Sequence, residues 1–193
     1  MRWVGPAAAG ALMLAGAALV GRQGCLEAKA ALAGVLIGQA LERTLADGRP
    51  RAPWSWADFR TIALLEVPRL GIRDPVLSGA TGSTLAFGIG HVDGTALPGA
   101  AGNVVLAGHR DRQLAFLRRL RPGDRIDLRT AGGARSYRVR TLRVVGEGHT
   151  RVTDPDAGDR LILITCYPLE GVLPSPWRAV VICDPAPGAS PAG

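Results

Sequence analysis

From residue 62 to residue 183 the chain is a succession of short β-type runs separated by Gly, Pro and Asp, and this texture limits the fold more than any other feature. The runs cover residues 62–67, 75–77, 103–107, 125–129, 137–145, 161–166 and 179–183. Short strands at such spacing must bury a shared face against one another, which predicts a sandwich or a barrel, a mainly β fold. Two helical pieces interrupt them, one over 83–87 and one over 114–120, the second closed by Arg121-Pro122-Gly123-Asp124.

The first 57 residues have a different character. From Trp3 to Gly21 no residue is charged, and this stretch, bounded by Arg2 and Arg22, is about long enough to cross a bilayer core as a helix. It predicts a transmembrane anchor over residues 1–22. A cleaved signal peptide is the competing reading, with Ala-Gly-Ala-Ala near the end of the stretch as the peptidase site. Basic residues stand on both sides, Arg2 before and Arg22 and Lys29 after, so the positive-inside rule does not orient the segment. Residues 23–57 read as a stalk helix and linker. Leu26, Leu32, Val35, Leu36, Ile37, Leu41 and Leu45 recur at near-helical spacing among Glu27, Lys29, Gln39, Glu42 and Arg43, until Asp47-Gly48-Arg49-Pro50-Arg51 supplies a turn. Pro53-Trp54-Ser55-Trp56 is a junction whose indoles suit a domain edge or a membrane interface. The globular domain is expected over 58–184, able to fold without what precedes it, followed by a disordered tail over 185–193 rich in Pro, Gly, Ala and Ser.

Composition narrows the function. The chain of 193 residues suits one domain plus an appendage. Its net charge of +7 comes from 23 basic against 16 acidic residues, and Lys29 is the one lysine. No run of five basic residues occurs and aromatics are only 5%, which argues against a nucleic-acid partner. Cys25, Cys166 and Cys183 are too few for a disulfide framework, and no Cys-x-x-Cys, His-Glu-x-x-His or zinc-type cluster is present. Neither a metal nor another cofactor is expected.

Nucleophilic chemistry fits better. Cys166 ends Leu-Ile-Leu-Ile-Thr-Cys at 161–166 and is followed by Tyr167-Pro168, so its thiol should sit where a buried strand emerges into a loop. A lone cysteine can equally be a small core residue. His109 follows the run Asn-Val-Val-Leu-Ala-Gly at 103–108 in a similar position, and an imidazole is the side chain best suited to trade a proton near neutral pH. Arg178 begins the last apolar run, and its guanidinium offers fixed donors to a developing oxyanion. His91, in the glycine-rich stretch 88–94, could wall a groove or be a hydrogen-bonded loop residue, and His149 reads as solvated. Thr165 and Tyr167, flanking the thiol, are with His91 the expected substrate contacts.

Gly-Asn-Val-Val-Leu-Ala-Gly-His-Arg at 102–110, Leu-Ile-Leu-Ile-Thr-Cys-Tyr-Pro at 161–168 and Pro-Trp-Arg-Ala-Val-Val at 176–181 resemble the sortases in residues, order and spacing, from about residue 63 to 182. Leu-Glu-Val-Pro-Arg-Leu-Gly-Ile at 65–72 looks like the opening strand of that fold. The anchor, Arg-Thr-Leu-Ala-Asp-Gly at the stalk end and Ala-Phe-Gly-Ile-Gly-His are similar to the class GN sortases of Gram-negative bacteria. The resemblance implies an eight-stranded β-barrel, a thioester on Cys166, His109 as acid and base, and Arg178 at the substrate carbonyl. It also implies a protein substrate bearing a Leu-Pro-x-Thr-Gly-like sorting motif, an amine acceptor, and anchoring in the lipid of the inner membrane with the catalytic domain facing the periplasm or exterior. Some sortases bind calcium through acidic loop residues, but Asp154, Asp156 and Asp159 read as a solvated turn around Pro155 and Gly158. L,D-transpeptidases also combine Cys, His and Arg, yet their Ser-His-Gly-Cys signature is missing here. The remaining rival is a catalytically idle, membrane-tethered binding module on the same fold.

Overall fold

The computed structural model describes residues 6–148, 158–171 and 173–187. It divides into two compact units, Met1–Leu36 and Ile37–Gly193. The expected anchor and stalk are one continuous helix, α1, running from Pro6 to Asp47. No residue inside it breaks a helix: Pro6 stands at its start, where a missing N–H is no loss, and no further proline occurs before Pro50. Gly48, at φ 75°, closes it by donating its N–H to Thr44 O at 2.9 Å. The span Ala8–Asp47 is long and apolar enough to cross a membrane. In the first unit Leu12, Met13, Leu14, Leu19 and Val20 are all exposed.

The second unit begins earlier than residue 58. Ile37, Ala40, Leu41 and Thr44, on the last turns of α1, are buried. Ile37 packs with Phe59 and Leu77, and Trp54 covers the same cluster. The Thr44 and Thr61 hydroxyls hydrogen-bond at 2.9 Å, and Arg51 bridges Thr61 in antiparallel fashion. The stretch read as stalk and linker therefore supplies part of the globular unit's core. Of the two junction indoles, Trp54 packs edge-on against Phe59 and Phe87 with centroids 5.6 and 5.3 Å away, while Trp56 is exposed.

Eight strands close into a barrel: β1 (Thr61–Val67), β2 (Ile72–Ser78), β3 (Ile89–His91), β4 (Val104–Ala107), β5 (Arg125–Thr130), β6 (Gly133–Gly146), β7 (Leu161–Tyr167) and β8 (Trp177–Pro185). Around the barrel the order is β1-β2-β3-β4-β7-β8-β6-β5, with β5 pairing back to β1. A short helix α2 (Gly82–Phe87) and 3₁₀ turns at Pro68–Leu70 and Ala115–Arg119 fill the connections. The eight-stranded barrel is the expected fold. β3 is the strand the sequence reading passed over, and β2 begins earlier than 75–77 suggested.

Alternation along the strands gives the barrel two apolar layers. Leu65, Val76, Leu106, Leu161, Leu163, Val181 and Cys183 point into the main core with Tyr137 and Phe116. Val105, Ile162 and Val180 point the other way and form a second cluster on the outer face, joined by Val92, Val145, Ile164 and Ile182. Of the proposed tail, residues 188–193 lie outside the described residues, whereas Pro185 still belongs to β8.

Candidate active site

β4 and β7 run parallel, with Ala107 opposite Ile164. Beyond that pair the strand exits stay together: Gly108 N–H donates to Ile164 O at 3.3 Å, and Thr165 Oγ1 donates to Gly108 O at 2.7 Å. His109 and Cys166 each lie two residues past the last β4–β7 pair; Cys166, still within β7, is on the face that Ile162 and Ile164 define as outward, and His109 stands just beyond the end of β4. On the other side of β7, Cys166 is the Cα partner of Arg178 in β8. Because Val180 and Ile182 face outward, Arg178 does too. β7 and β8 thus bring a thiol and a guanidinium to one face at the end of the outer apolar strip, and the chain carries His109 just past the neighbouring end of β4. His109 is exposed, Cys166 and Arg178 half-buried.

Arg178 is held from several sides. Its Nη1 donates to Ser175 O at 2.7 Å and Trp177 O at 3.1 Å, and its Nη2 donates to the Glu147 carboxylate. Val145 is the Cα partner of Arg178 in β6, so Glu147, two residues on, emerges on the same face. Sequence reasoning missed Glu147, since a contact set by β6–β8 pairing leaves no local signal. It also missed Arg110, whose Nη1 and Nη2 donate to Pro168 O at 3.1 Å and Leu173 O at 2.6 Å.

The expected substrate contacts separate. Tyr167 is exposed beside Cys166, with Trp177 as its cross-strand partner. Thr165 is buried and its hydroxyl is committed to Gly108 O, a fixing bond between the two strand exits. His91 is buried in β3, its Nε2 within hydrogen-bonding distance of Ala96 O (2.9 Å) and Thr95 Oγ1 (3.1 Å). Gly108 serves packing: a Cβ there would lie 2.9 Å from Leu114 Cγ, so its smallness admits Leu114.

The other thiols differ in kind. Cys183 is fully buried in the main core, and desolvation, followed by the nearby Asp184 charge, pushes its thiol up to about 12. Cys25 is exposed on α1. No group of His, Cys, Asp or Glu able to hold a metal occurs among the described residues. Asp154, Asp156 and His149 lie outside them; Asp159 pairs with buried Arg135 and accepts from Gly102 N–H at 3.1 Å.

A closed eight-stranded barrel with a thiol at the exit of β7 and an arginine facing it on β8 defines a narrow structural class. The family model described as "Sortase domain" matches residues 65–186, and the chain belongs to the sortase family. It is 30% identical over 119 residues to Sortase D of Bacillus subtilis, covering 61% of this chain and 60% of that protein. It is 33% identical over 147 residues to Sortase SrtE1 of Streptomyces coelicolor, covering 66% of this chain and 42% of that protein. The chain thus spans less than two thirds of either relative's length. Among solved structures it is similar to Sortase A from Corynebacterium diphtheriae, with TM-score 0.60, 28% identity and coverage of 68% of this chain and 63% of that one. Sortase C-1 from Actinomyces oris gives TM-score 0.59 and 29% identity over 66% of this chain and 74% of that one.

Proposed function

We propose that the protein is a membrane-anchored cysteine transpeptidase that cleaves a Leu-Pro-x-Thr-Gly-like sorting motif and passes the acyl group to an amine. Membership of the sortase family implies such chemistry, and the observation that carries it to this chain is the pairing of Cys166 with Arg178 on one outward face, with His109 at the neighbouring exit of β4. The Cys166 thiolate attacks the threonyl carbonyl, forming a C–S bond. Arg178 donates to the developing oxyanion, and the C–N bond to glycine breaks as His109 hands its proton to the departing amine. An acceptor amine then attacks the thioester, gives a proton to His109 and returns the thiolate. Tyr167, exposed next to Cys166, would lie beside the scissile bond.

α1 supports the anchor, and a catalytic domain facing the exterior or periplasm, with the N-terminus in the cytoplasm, is the orientation this chemistry needs. A place among the class GN sortases is the finer reading of the sequence around Ala86 to His91 and the stalk end; the Bacillus and Streptomyces relatives lend it no support. The test is to incubate the full-length protein with a sorting-peptide library and candidate amines and read the products by mass spectrometry. Amide-linked products of one motif class support the proposal. Peptide capture without cleavage would favour the idle binding module.

A further inference from the structure

In the loop between the thiol strand and the arginine strand, the described residues 168–171 and 173–176 have no ladder of their own and are held largely from outside. Gly171 N–H closes a turn on Pro168 O at 3.0 Å. Arg110, directly after His109, spans the loop with its two Nη atoms, one on Pro168 O and one on Leu173 O. Gly171 is fitted to this contact: a Cβ there would meet Pro168 Cγ at 2.7 Å and Arg110 Nη1 at 3.2 Å. Arg110 has no carboxylate partner among the described residues, so its fork is spent on these two carbonyls. A planar guanidinium can bridge two acceptors at fixed separation, which an ammonium on a flexible stem does poorly.

We propose that Arg110 is a positioning residue that latches the 168–176 loop to the exit of β4, and that the latched loop shields the Cys166 acyl-enzyme from water. This rests on reading the site as an acyl-transfer centre. The thioester has two fates: an amine attacks it to give an amide and free thiol, or water attacks it to give a carboxylic acid and free thiol. Both attackers must arrive beside Cys166, and the loop leaves directly from that strand end. A loop that opens more often admits water more often, so releasing the latch shifts partitioning toward hydrolysis while the first acylation step, which uses His109, Cys166 and Arg178, changes less.

The experiment compares wild type, Arg110→Ala, Arg110→Lys and, as a control for losing an exposed arginine on β6, Arg143→Ala, all as full-length protein in detergent. Amide hydrogen exchange is followed over 168–176 and over the barrel strands, and a Leu-Pro-Ala-Thr-Gly peptide with triglycine measures the ratio of transfer to hydrolysis. For Arg110→Ala the expected result is loop exchange faster by about tenfold with strand exchange unchanged. The hydrolysed share of product rises severalfold, Arg110→Lys falls between Ala and wild type, and Arg143→Ala matches wild type. Unchanged loop exchange overturns the latch. So does a rise spread evenly over the barrel, which marks general destabilisation. Faster loop exchange with an unchanged product ratio overturns the shielding role. Absence of any product from wild type would instead defeat the acyl-transfer reading, and the exchange data would still decide whether Arg110 holds the loop.

Discussion

Cys166 and Arg178 are Cα partners in the β7–β8 ladder, and both turn to the outer face of the barrel. Directly opposed residues on one face of an antiparallel pair have Cβ atoms about 4.5–5.5 Å apart, so the guanidinium is positioned by the ladder itself. Its Nη1 hydrogens go to Ser175 O and Trp177 O and part of Nη2 to Glu147, which fixes the plane of the fork. Arg178→Lys should therefore be nearly as damaging as Arg178→Ala. Each should lower single-turnover acylation by about 10²–10³, the usual cost of one oxyanion donor, with little change in melting. Arg160→Ala, which removes a partly exposed pair with Asp184, is the comparison and should acylate at the wild-type rate.

Thr165→Val keeps the shape of the side chain but removes the donor to Gly108 O. The carbonyl left buried costs about 1–3 kcal/mol, measurable by urea unfolding. Since Gly108 carries His109, acylation should also slow, more than in an equally destabilised core variant such as Val181→Ala.

Residues 37–57 should matter for folding. A chain starting at Ile37 should keep the cover that Ile37 gives Phe59 and Leu77, whereas one starting at Asp58 loses Ile37, Leu41 and the Thr44–Thr61 hydrogen bond. At about 1.5–3 kcal/mol for each fully buried large apolar side chain, the shorter chain should be less stable by about 3–6 kcal/mol. Equal melting of the two would show that the end of α1 is dispensable.

Asp74, in β2, is more than half removed from solvent, and desolvation holds its carboxyl above the ordinary 3.8. The folded state therefore keeps this proton where the unfolded chain has released it, and stability contributed by the protonated form is lost as pH rises from 3.8 through the folded value. Asp124 acts in the opposite sense, its carboxyl held low chiefly by its hydrogen bond from Arg69. The measurement is thus the difference between Asp74→Asn and wild type. Asp74→Asn should become relatively more stable as pH rises over that range; a constant difference would contradict the assignment.

Most of the barrel was readable because β1, β4, β7 and β8 are short apolar runs ended by small or breaking residues. β3 was not, since three residues beginning Ile-Gly carry no periodicity and are strand only because β2 and β4 flank them. Pro75 made β2 look shorter than it is. It pairs with Leu64 on one side, while pairing with β3 begins only at Val76, so the missing N–H is tolerated as at an edge. The division between anchor and stalk was drawn from charge, which says nothing about helix continuity. Cys166, His109 and Arg178 were legible as strand-end residues; the common face of Cys166 and Arg178 depends on the β7–β8 pairing, and the neighbouring strand exit that carries His109 on the parallel β4–β7 register, which no local pattern encodes. Glu147 and Arg110 enter the site through that same long-range pairing.

The central claim is that Cys166 becomes acylated by a sorting-type peptide. The most direct measurement mixes excess full-length protein with a Leu-Pro-Ala-Thr-Gly peptide, quenches in acid and locates the mass increment by digestion and tandem mass spectrometry. The account predicts a Leu-Pro-Ala-Thr acyl group on Cys166 with release of the glycine-bearing fragment, unchanged in Cys25→Ala and Cys183→Ala and absent in Cys166→Ala. An adduct on Cys25, or cleavage that persists in Cys166→Ala, would contradict it.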